Sequence, residues 1–201
     1  MERFRGRHEG ESILVIGCGP SAKEAGGICS EYTTIACNDA ASVAGLDEVD
    51  YQITADPFWN LAGRVLDVKT MAHFRMINDF GTPAMNWKAD LLVDFHAVPM
   101  DRFSMKQISL SVLAHSLMTP FLAASLAAHM GAEKVGIIGM DCFAPGHEMS
   151  KPGNLKRVER DWMKFQDFYF QELDVFNCSE KSAIKTLPKQ PISMLHKRIE
   201  Q

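Results

Sequence analysis

Several features that mark particular classes of protein are missing from this sequence. Its 201 residues include five cysteines, but no CxxC pair and no zinc-ligand spacing. This pattern argues against a disulfide framework and favours a reducing compartment. No apolar run approaches membrane-spanning length, and the polar start MERFRGRHEGES lacks the apolar core of a signal peptide. We therefore expect a cytoplasmic protein without a transmembrane segment.

An excess of basic residues is also missing. The formal net charge is −4, so the chain has no general basic field with which to bind nucleic acid. Hydrophobic residues make up 46% and charged residues 23%, as is typical of a globular protein with an ordinary core. We predict a single nucleotide-binding α/β domain over residues 1–201, with a lid at about 142–154 and a polar C-terminal tail at about 184–201.

What the sequence does contain is an apolar run that leads into a glycine-rich turn, ILVIGCGPSA, from position 13 onward. The run ILVI is typical of a parallel strand covered on both faces. Gly17 and Gly19 let the backbone turn tightly and approach a ligand, and Pro20 and Ser21 suit the first turn of a helix. Because free N–H groups at a helix start attract phosphate, we interpret the stretch as a phosphate cradle. The alternative is a tight turn without a ligand.

Segments of strand and helix character alternate along the rest of the chain. Strands are predicted at 32–37, 50–55, 134–140 and 174–178, with weaker candidates at 84–94 and 103–109. Helices are predicted at 40–46, 58–75, 113–130 and 155–173. The alternation predicts an α/β fold, a Rossmann-like three-layer sandwich with a mainly parallel sheet and a short lid loop.

Polar side chains follow three of the predicted strands. Asn38 follows the second strand, Asp56 the third, and Asp141 the strand that contains Gly139. Ligands of open parallel sheets bind outside the carboxyl ends of the strands, so we expect these side chains to form one site. An aspartate at such a position binds ribose, an acceptor hydroxyl or a metal, or it only caps the next helix.

The turn GCGPSA also satisfies the dinucleotide pattern GxGxxA, and Asp39 lies about twenty residues beyond it, where it would bind a ribose hydroxyl. A dehydrogenase or a flavoprotein is therefore an alternative. Two features count against it: the chain leaves no evident substrate domain, and Asn38 stands where the strand would deliver the acid.

A histidine in the predicted lid is a candidate catalytic base. His147 has a side chain whose ordinary pKa is near the working pH, which suits removal of a proton from a sugar hydroxyl. Asp141 or Glu148 would orient it, and the alternative is a solvated loop histidine. The sequence has no DxD pair to hold Mg²⁺ or Mn²⁺ on a diphosphate, so we expect no obligatory metal.

Several of these stretches together carry a family resemblance. They are GCGPS at 17–21, ACNDA at 36–40, DYQITADP at 50–57, MTPFLAASLAAHMGAEKVGIIGMDCF at 118–143 and FNCSEKSA at 176–183. With them the chain resembles the small bacterial sialyltransferases. It is equally similar to the motility-associated flagellin glycosyltransferases and to the archaeal-type hydroxymethylpterin diphosphokinases.

The resemblance implies a domain that takes a nucleotide sugar of the CMP or UDP type and transfers the sugar to a glycan or protein acceptor. In the sialyltransferases the glycine turn, the Asn after the second strand and a Ser or Thr at the start of the Ala-rich helix hold CMP. The matching residues are Gly17, Cys18, Gly19, Pro20, Ser21, Asn38 and Thr119, with Cys18 where the sialyltransferases have Asn. The flagellin-type relatives have a G-x-D strand end and a loop histidine, which match Gly139, Asp141 and His147.

Two further alternatives stay open at this point. An ATP-dependent hydroxymethylpterin diphosphokinase would require Mg²⁺, and a nucleotide-binding module without catalytic activity would need no base. A homo-oligomer is compatible with the sequence.

Overall fold

The computed structural model of the chain describes residues 1–57, 66–77, 83–104, 112–142, 151–169 and 173–196. Nine strands run through these residues. In chain order they are β1 (Ser12–Ile16), β2 (Thr33–Cys37), β3 (Glu48–Thr54), β4 (Lys69–Met76), β5 (Leu92–Phe95), β6 (Ala97–Pro99), β7 (Leu113–His115), β8 (Lys134–Ile138) and β9 (Asp174–Asn177). The α-helices of the same residues are α1 (Ala40–Ala44), α2 (Thr119–His129) and α3 (Pro152–Tyr169).

The main sheet has seven parallel strands in the order β5-β4-β3-β2-β1-β8-β9, while β6 and β7 form a separate parallel pair. Helices flank the sheet, so the predicted α/β, Rossmann-like arrangement is confirmed. The chain passes outward from β1 to β5 and then returns to β8 on the other side of β1. The strand order therefore reverses between β1 and β8, and such a reversal opens a crevice at the carboxyl ends of the strands.

The core is centred on β1 and α2. All five residues of β1 are buried, as expected of a central parallel strand. Helix α2 buries its residues from Pro120 to Ala127, and its many alanines let it lie close to β1, β2, β3 and β8. Its Phe121 ring contacts Trp162 of α3 at a centroid distance of 4.7 Å. Among the residues described, no helix is both long and apolar enough to cross a membrane.

Two helix predictions are wrong in part. Residues 69–75 of the predicted helix 58–75 belong to β4, which pairs with both β3 and β5. The polar residues of β4 hide the pattern typical of a buried strand. The first part of the predicted helix, residues 58–65, lies outside the described part of the chain. The helix predicted at 113–130 begins only at Thr119, because Leu113–His115 pairs with β6 as a strand.

Two chain segments outside the main elements also differ from expectation. The turn leads into a six-residue 3-10 helix, Pro20–Ala25, and not into a regular α-helix. The predicted polar tail at 184–201 packs on the protein as far as it is described, since Ile184, Leu187 and Leu195 are buried in the core. These apolar side chains recur too sparsely among polar residues to form a recognisable pattern.

Candidate functional site

A cavity of about 400 Å³ opens at the carboxyl ends of the strands, where the strand order reverses. It is called the donor cavity below. Its described lining includes most of the predicted site residues, namely Cys18, Gly19, Pro20, Asn38, Asp56, Thr119, Gly139 and Asp141. Residues that the sequence analysis selected from distant segments therefore line one cavity.

Hydrogen bonds of both its backbone and its side chain hold Asn38 at the cavity. Its φ of 51° is left-handed, its N–H donates to Ile53 O at 2.9 Å, and its C=O accepts from Gln52 Nε2 at 2.7 Å. Its Nδ2 donates to Asp56 Oδ2 at 2.6 Å and to Thr119 Oγ1 at 3.2 Å. The residue is 8% exposed, and Oδ1 has no partner. Buried polar atoms are rarely left unpaired, so Oδ1 is an acceptor available to a donor group of a ligand.

Behind Asn38, a chain of buried polar groups crosses β3 and β4. Gln52 Oε1 accepts from Asn86 Nδ2 at 2.6 Å, and Asn86 N–H donates to His73 Nδ1 at 3.1 Å. His73 Nε2 lies 2.7 Å from Thr54 Oγ1. Burial, assisted by the charge of Arg75, lowers the pKa of His73 to about 3, so its ring is neutral. The sequence analysis did not predict this series of hydrogen bonds, because each of its polar residues, taken alone, is ordinary for a strand or a loop.

The glycine turn is fastened to the end of β8. Three of its N–H groups donate there: Gly17 to Ile138 O at 2.7 Å, Gly19 to Gly139 O at 2.8 Å and Ser21 to Asp141 Oδ2 at 3.0 Å. These groups are therefore already paired and are not presented to a ligand. The interpretation of the turn as a phosphate cradle needs correction at these three residues, because the turn connects β1 to β8.

Close contact between the two backbones explains the glycines. A Cβ on Gly17 would lie 2.5 Å from Gly139 O, and a Cβ on Gly139 would overlap Gly17 O. A Cβ on Gly19 would lie 2.7 Å from Gly139 O and would overlap the Asp141 carboxylate. Gly139 also has a φ of 76°, which L side chains rarely adopt. The G-x-G turn and the G-x-D strand end thus fit each other.

Asp141 and Ser21 complete this junction. Asp141 is 3% exposed, and its Oδ1 has no partner while Oδ2 accepts from Ser21. Ser21 Oγ accepts from Gly139 N at 2.9 Å and lies 2.6 Å from Ser179 Oγ. Gly17 and Ser21 are accordingly not among the described residues that line the donor cavity.

The donor cavity combines acidic side chains with the N-terminus of a helix. The described lining contains the carboxylates of Asp56 and Asp141 and no lysine or arginine. The N-terminus of α2 reaches the cavity through residues 118–120, and a helix N-terminus carries partial positive charge. A thiol, Cys18 Sγ, donates to Cys37 O at 3.2 Å and to Asp39 Oδ1 at 3.1 Å.

The predicted lid and a possible metal site remain to be described. His147 and Glu148 lie outside the described residues, as does most of the predicted lid. Within the described part of the chain, no group of three or more His, Cys, Asp and Glu side chains is arranged to hold a metal ion.

A larger cavity, of about 690 Å³, lies at the other end of α2, around Arg5, His129 and Asp167. None of the predicted site residues lines it, and it is not at the strand reversal. The donor cavity is therefore the better candidate for the functional site.

The parallel sheet, the strand reversal and the cavity above it define a Rossmann-like domain. The MAf glycosyltransferase from Magnetospirillum magneticum AMB-1 matches 96% of this chain with a TM-score of 0.62 and 14% identity. This chain spans only 36% of the length of that protein.

The sialyltransferase CstII from Campylobacter jejuni has the same fold. Its structure with cytidine-5'-monophosphate matches 95% of this chain and 89% of its own, with a TM-score of 0.55 and 10% identity. Its structure with a trisaccharide acceptor and CMP gives a TM-score of 0.52, also at 10% identity, over 94% of this chain and 89% of its own. No family model matches the sequence, and no curated protein matches it. At these identities the likeness establishes a shared fold.

Proposed function

We propose that this protein is a glycosyltransferase that uses a nucleotide sugar and transfers the sugar to an acceptor hydroxyl. One observation carries the proposal: in a glycosyltransferase-like fold, the donor cavity at the strand reversal contains Asn38, whose buried Oδ1 lacks a partner. A nucleotide offers the hydroxyl or amino donor that such an atom needs. Both the fold and the position of the cavity support this function.

The remaining cavity residues have complementary roles in the proposal. Asp56, fixed by Asn38, accepts from a ribose hydroxyl. Thr119 and the N-terminus of α2 bind the phosphate, because the helix dipole is positive there and the N–H groups of Gly17, Gly19 and Ser21 are occupied. Cys18, Gly19 and Pro20 form a wall of the cavity.

In the reaction, the acceptor oxygen forms a bond to the anomeric carbon, and the bond from that carbon to the phosphate oxygen breaks. The phosphate oxygen keeps the electron pair and leaves with the nucleotide. His147 takes the proton of the acceptor hydroxyl, as neutral histidine does efficiently near neutral pH.

A second candidate function rests on the two carboxylates of the cavity. Asp56 and Asp141 would together suit Mg²⁺ bound to the phosphates of ATP, as an ATP-dependent hydroxymethylpterin diphosphokinase requires. The glycosyltransferase needs no obligatory metal in our proposal. Dependence on Mg²⁺ therefore separates the two.

Ligand-induced thermal stabilisation tests the proposal directly. The purified protein is heated with CMP, CDP, UDP, GDP, ATP or NAD, each with and without Mg²⁺. We expect a metal-independent rise in Tm with a pyrimidine nucleotide, since a ligand at a hundred times its Kd stabilises by about 2.7 kcal/mol. A rise with ATP only when Mg²⁺ is present would favour the diphosphokinase, and a rise with NAD would favour the dehydrogenase. If no nucleotide raises Tm, the proposal is wrong.

Substitutions at the cavity then locate the binding site. Asn38→Gly removes the amide and still allows the left-handed φ, which Ala would strain. We expect it to abolish the rise in Tm. Thr119→Val removes the hydroxyl that accepts from Asn38 and should reduce the rise, whereas the conservative Thr119→Ser should keep most of it. Equal rises in all three variants would place the nucleotide elsewhere.

A further inference from the structure

A second cavity, of about 270 Å³, lies between the 3-10 helix Pro20–Ala25 and the loop that follows β9. It is called the acceptor cavity below. Pro20 and Asp141 line both the donor cavity and the acceptor cavity. The two cavities therefore meet at a shared wall, and one side of that wall is a buried carboxylate.

The acceptor cavity is polar throughout its described lining. Ser21 and Ser179 bring two hydroxyls together, with their oxygens 2.6 Å apart. Glu24, Glu180 and Lys181 are exposed at its rim. Apart from Pro20, no apolar residue lines it in the described part of the chain. Such a surface binds a ligand through hydrogen bonds, as a saccharide requires.

The wall between the cavities includes an unsatisfied atom. Asp141 is 97% buried, since only 3% is exposed, and its Oδ1 has no partner although Oδ2 accepts from Ser21. A buried carboxylate oxygen without a donor is costly. A hydroxyl group bound in either cavity would supply the missing donor.

The loop after β9 is fastened in place, so the acceptor cavity is preformed. Ala183 N–H donates to Asp141 O at 2.8 Å, and Ser182 Oγ donates to Met140 O at 2.6 Å. Lys189 Nζ donates to Ser182 O at 3.0 Å from the other side. These bonds keep the loop against the end of β8, and a preformed site loses little freedom when it binds.

From these observations we propose that the acceptor cavity binds a neutral saccharide, whose hydroxyl receives the transferred sugar; the inference rests on the proposed function. Three carboxylates and one lysine make the described lining net negative, which disfavours a saccharide that itself carries a carboxylate. A neutral sugar hydroxyl donates to Glu24, Glu180 or Asp141, and an acceptor bound there lies next to the donor cavity.

Saturation-transfer NMR with lactose, on the full chain, tests the proposal. We expect lactose to bind and 3'-sialyllactose to bind more weakly. Glu180→Gln and Glu24→Gln should each raise the Kd for lactose roughly three- to tenfold, because Gln still accepts a hydrogen bond but without the charge that strengthens it. Asp174→Asn serves as the control, because it removes the same charge at the exposed start of β9, at the other end of that strand from the loop that lines the cavity. It should leave the Kd unchanged.

Nucleotide-induced rises in Tm, measured on the same variants, separate this proposal from the preceding one. Suppose that a nucleotide raises Tm but lactose does not bind, or that Glu180→Gln and Glu24→Gln bind lactose as tightly as the natural chain does. The acceptor cavity is then misassigned, and the glycosyltransferase proposal stands. If lactose binds as expected and no nucleotide binds, the acceptor cavity is a saccharide site, but the proposal that the protein is a glycosyltransferase is wrong. Tighter binding of 3'-sialyllactose than of lactose would overturn the choice of a neutral ligand.

Discussion

Single residues at the site have roles that their type alone does not reveal. Gly17, Gly19 and Gly139 stand where two backbones touch, so their missing side chains serve packing. Asn38 and Asp141 each keep one buried oxygen without a partner, and in our proposal these oxygens accept from a ligand. The glycine turn therefore fixes Asp141 at the strand end, and in our proposal the polar residues provide the binding atoms.

We expect Gly19→Ala to lower the free energy of unfolding by about 1–3 kcal/mol, because its Cβ would overlap the Asp141 carboxylate and crowd Gly139 O. Gly27→Ala is the matched control, since no atom lies within 4 Å of a Cβ there. It should leave stability unchanged or raise it by up to about 1 kcal/mol. Urea denaturation measures both variants, and equal stability of the two would contradict the packing role of Gly19.

At the level of secondary-structure elements, β3 and β4 connect the site to the distal part of the sheet. Gln52 of β3 fixes the C=O of Asn38 and accepts from Asn86, which in turn donates to His73 of β4. All four residues are buried. The bond from Asn86 N–H requires His73 Nδ1 to be unprotonated, so the protonation state of His73 affects stability.

The low pKa of His73 predicts a loss of stability in acid. Its pKa is about 3 in the folded protein and 6.5 in the unfolded chain, so between these values only the unfolded state binds the proton. Stability is then lost as pH falls below 6.5, by about 2 kcal/mol near pH 5. His73→Gln should lose less stability over the same range. Urea denaturation at neutral pH and near pH 5 measures the difference.

Burial also lowers the pKa of His115 and His129, but these residues are unchanged in the variant. Their contribution therefore cancels when His73→Gln is compared with the natural chain. Identical loss of stability in both proteins would mean that His73 is protonated in the folded state.

The elements differ in how far sequence alone predicted them. The central strands could be predicted because ILVI and VGII are unbroken apolar runs, and the strand ends identified Asn38, Asp56 and Asp141. Strand β4 could not, because Lys69, Thr70, His73 and Arg75 are polar and a strand with such residues needs its neighbours to form. The bond from Ser21 to Asp141 joins residues 120 positions apart, so no local pattern indicates that the turn amides are occupied.

In the molecule as a whole, the strand order places the donor cavity and the acceptor cavity side by side. Both lie beyond the carboxyl ends of β1 and β8, and Asp141 lines both. The fold class was predictable from the alternation of strand and helix, whereas the order of strands was not. That order decides which loops meet, and with it which polar residues can act on one ligand.

The reactivity of the five cysteines tests the packing of the whole molecule, because none of them forms a disulfide and only Cys18 is exposed. Burial raises the pKa of Cys29 and Cys142 to about 11 and that of Cys178 to about 12, and it holds that of Cys37 well above its ordinary value. The thiolate is the reactive form, so these four react slowly in the folded protein. With Ellman's reagent we expect one fast thiol in the native protein and five after unfolding in guanidinium.

Cys18 also lines the donor cavity, so its reaction with Ellman's reagent reports whether that cavity is occupied. A nucleotide that raises Tm should slow the fast thiol because the ligand covers it. The variant Cys18→Ser should lose the fast reaction altogether, which identifies the thiol. A bound nucleotide that leaves the fast reaction unchanged would mean that the ligand binds away from the strand reversal. A second fast thiol would identify Cys142, which is half-buried and lines the same cavity. Three or more fast thiols would mean that the core opens in the native protein, since Cys29, Cys37 and Cys178 are buried.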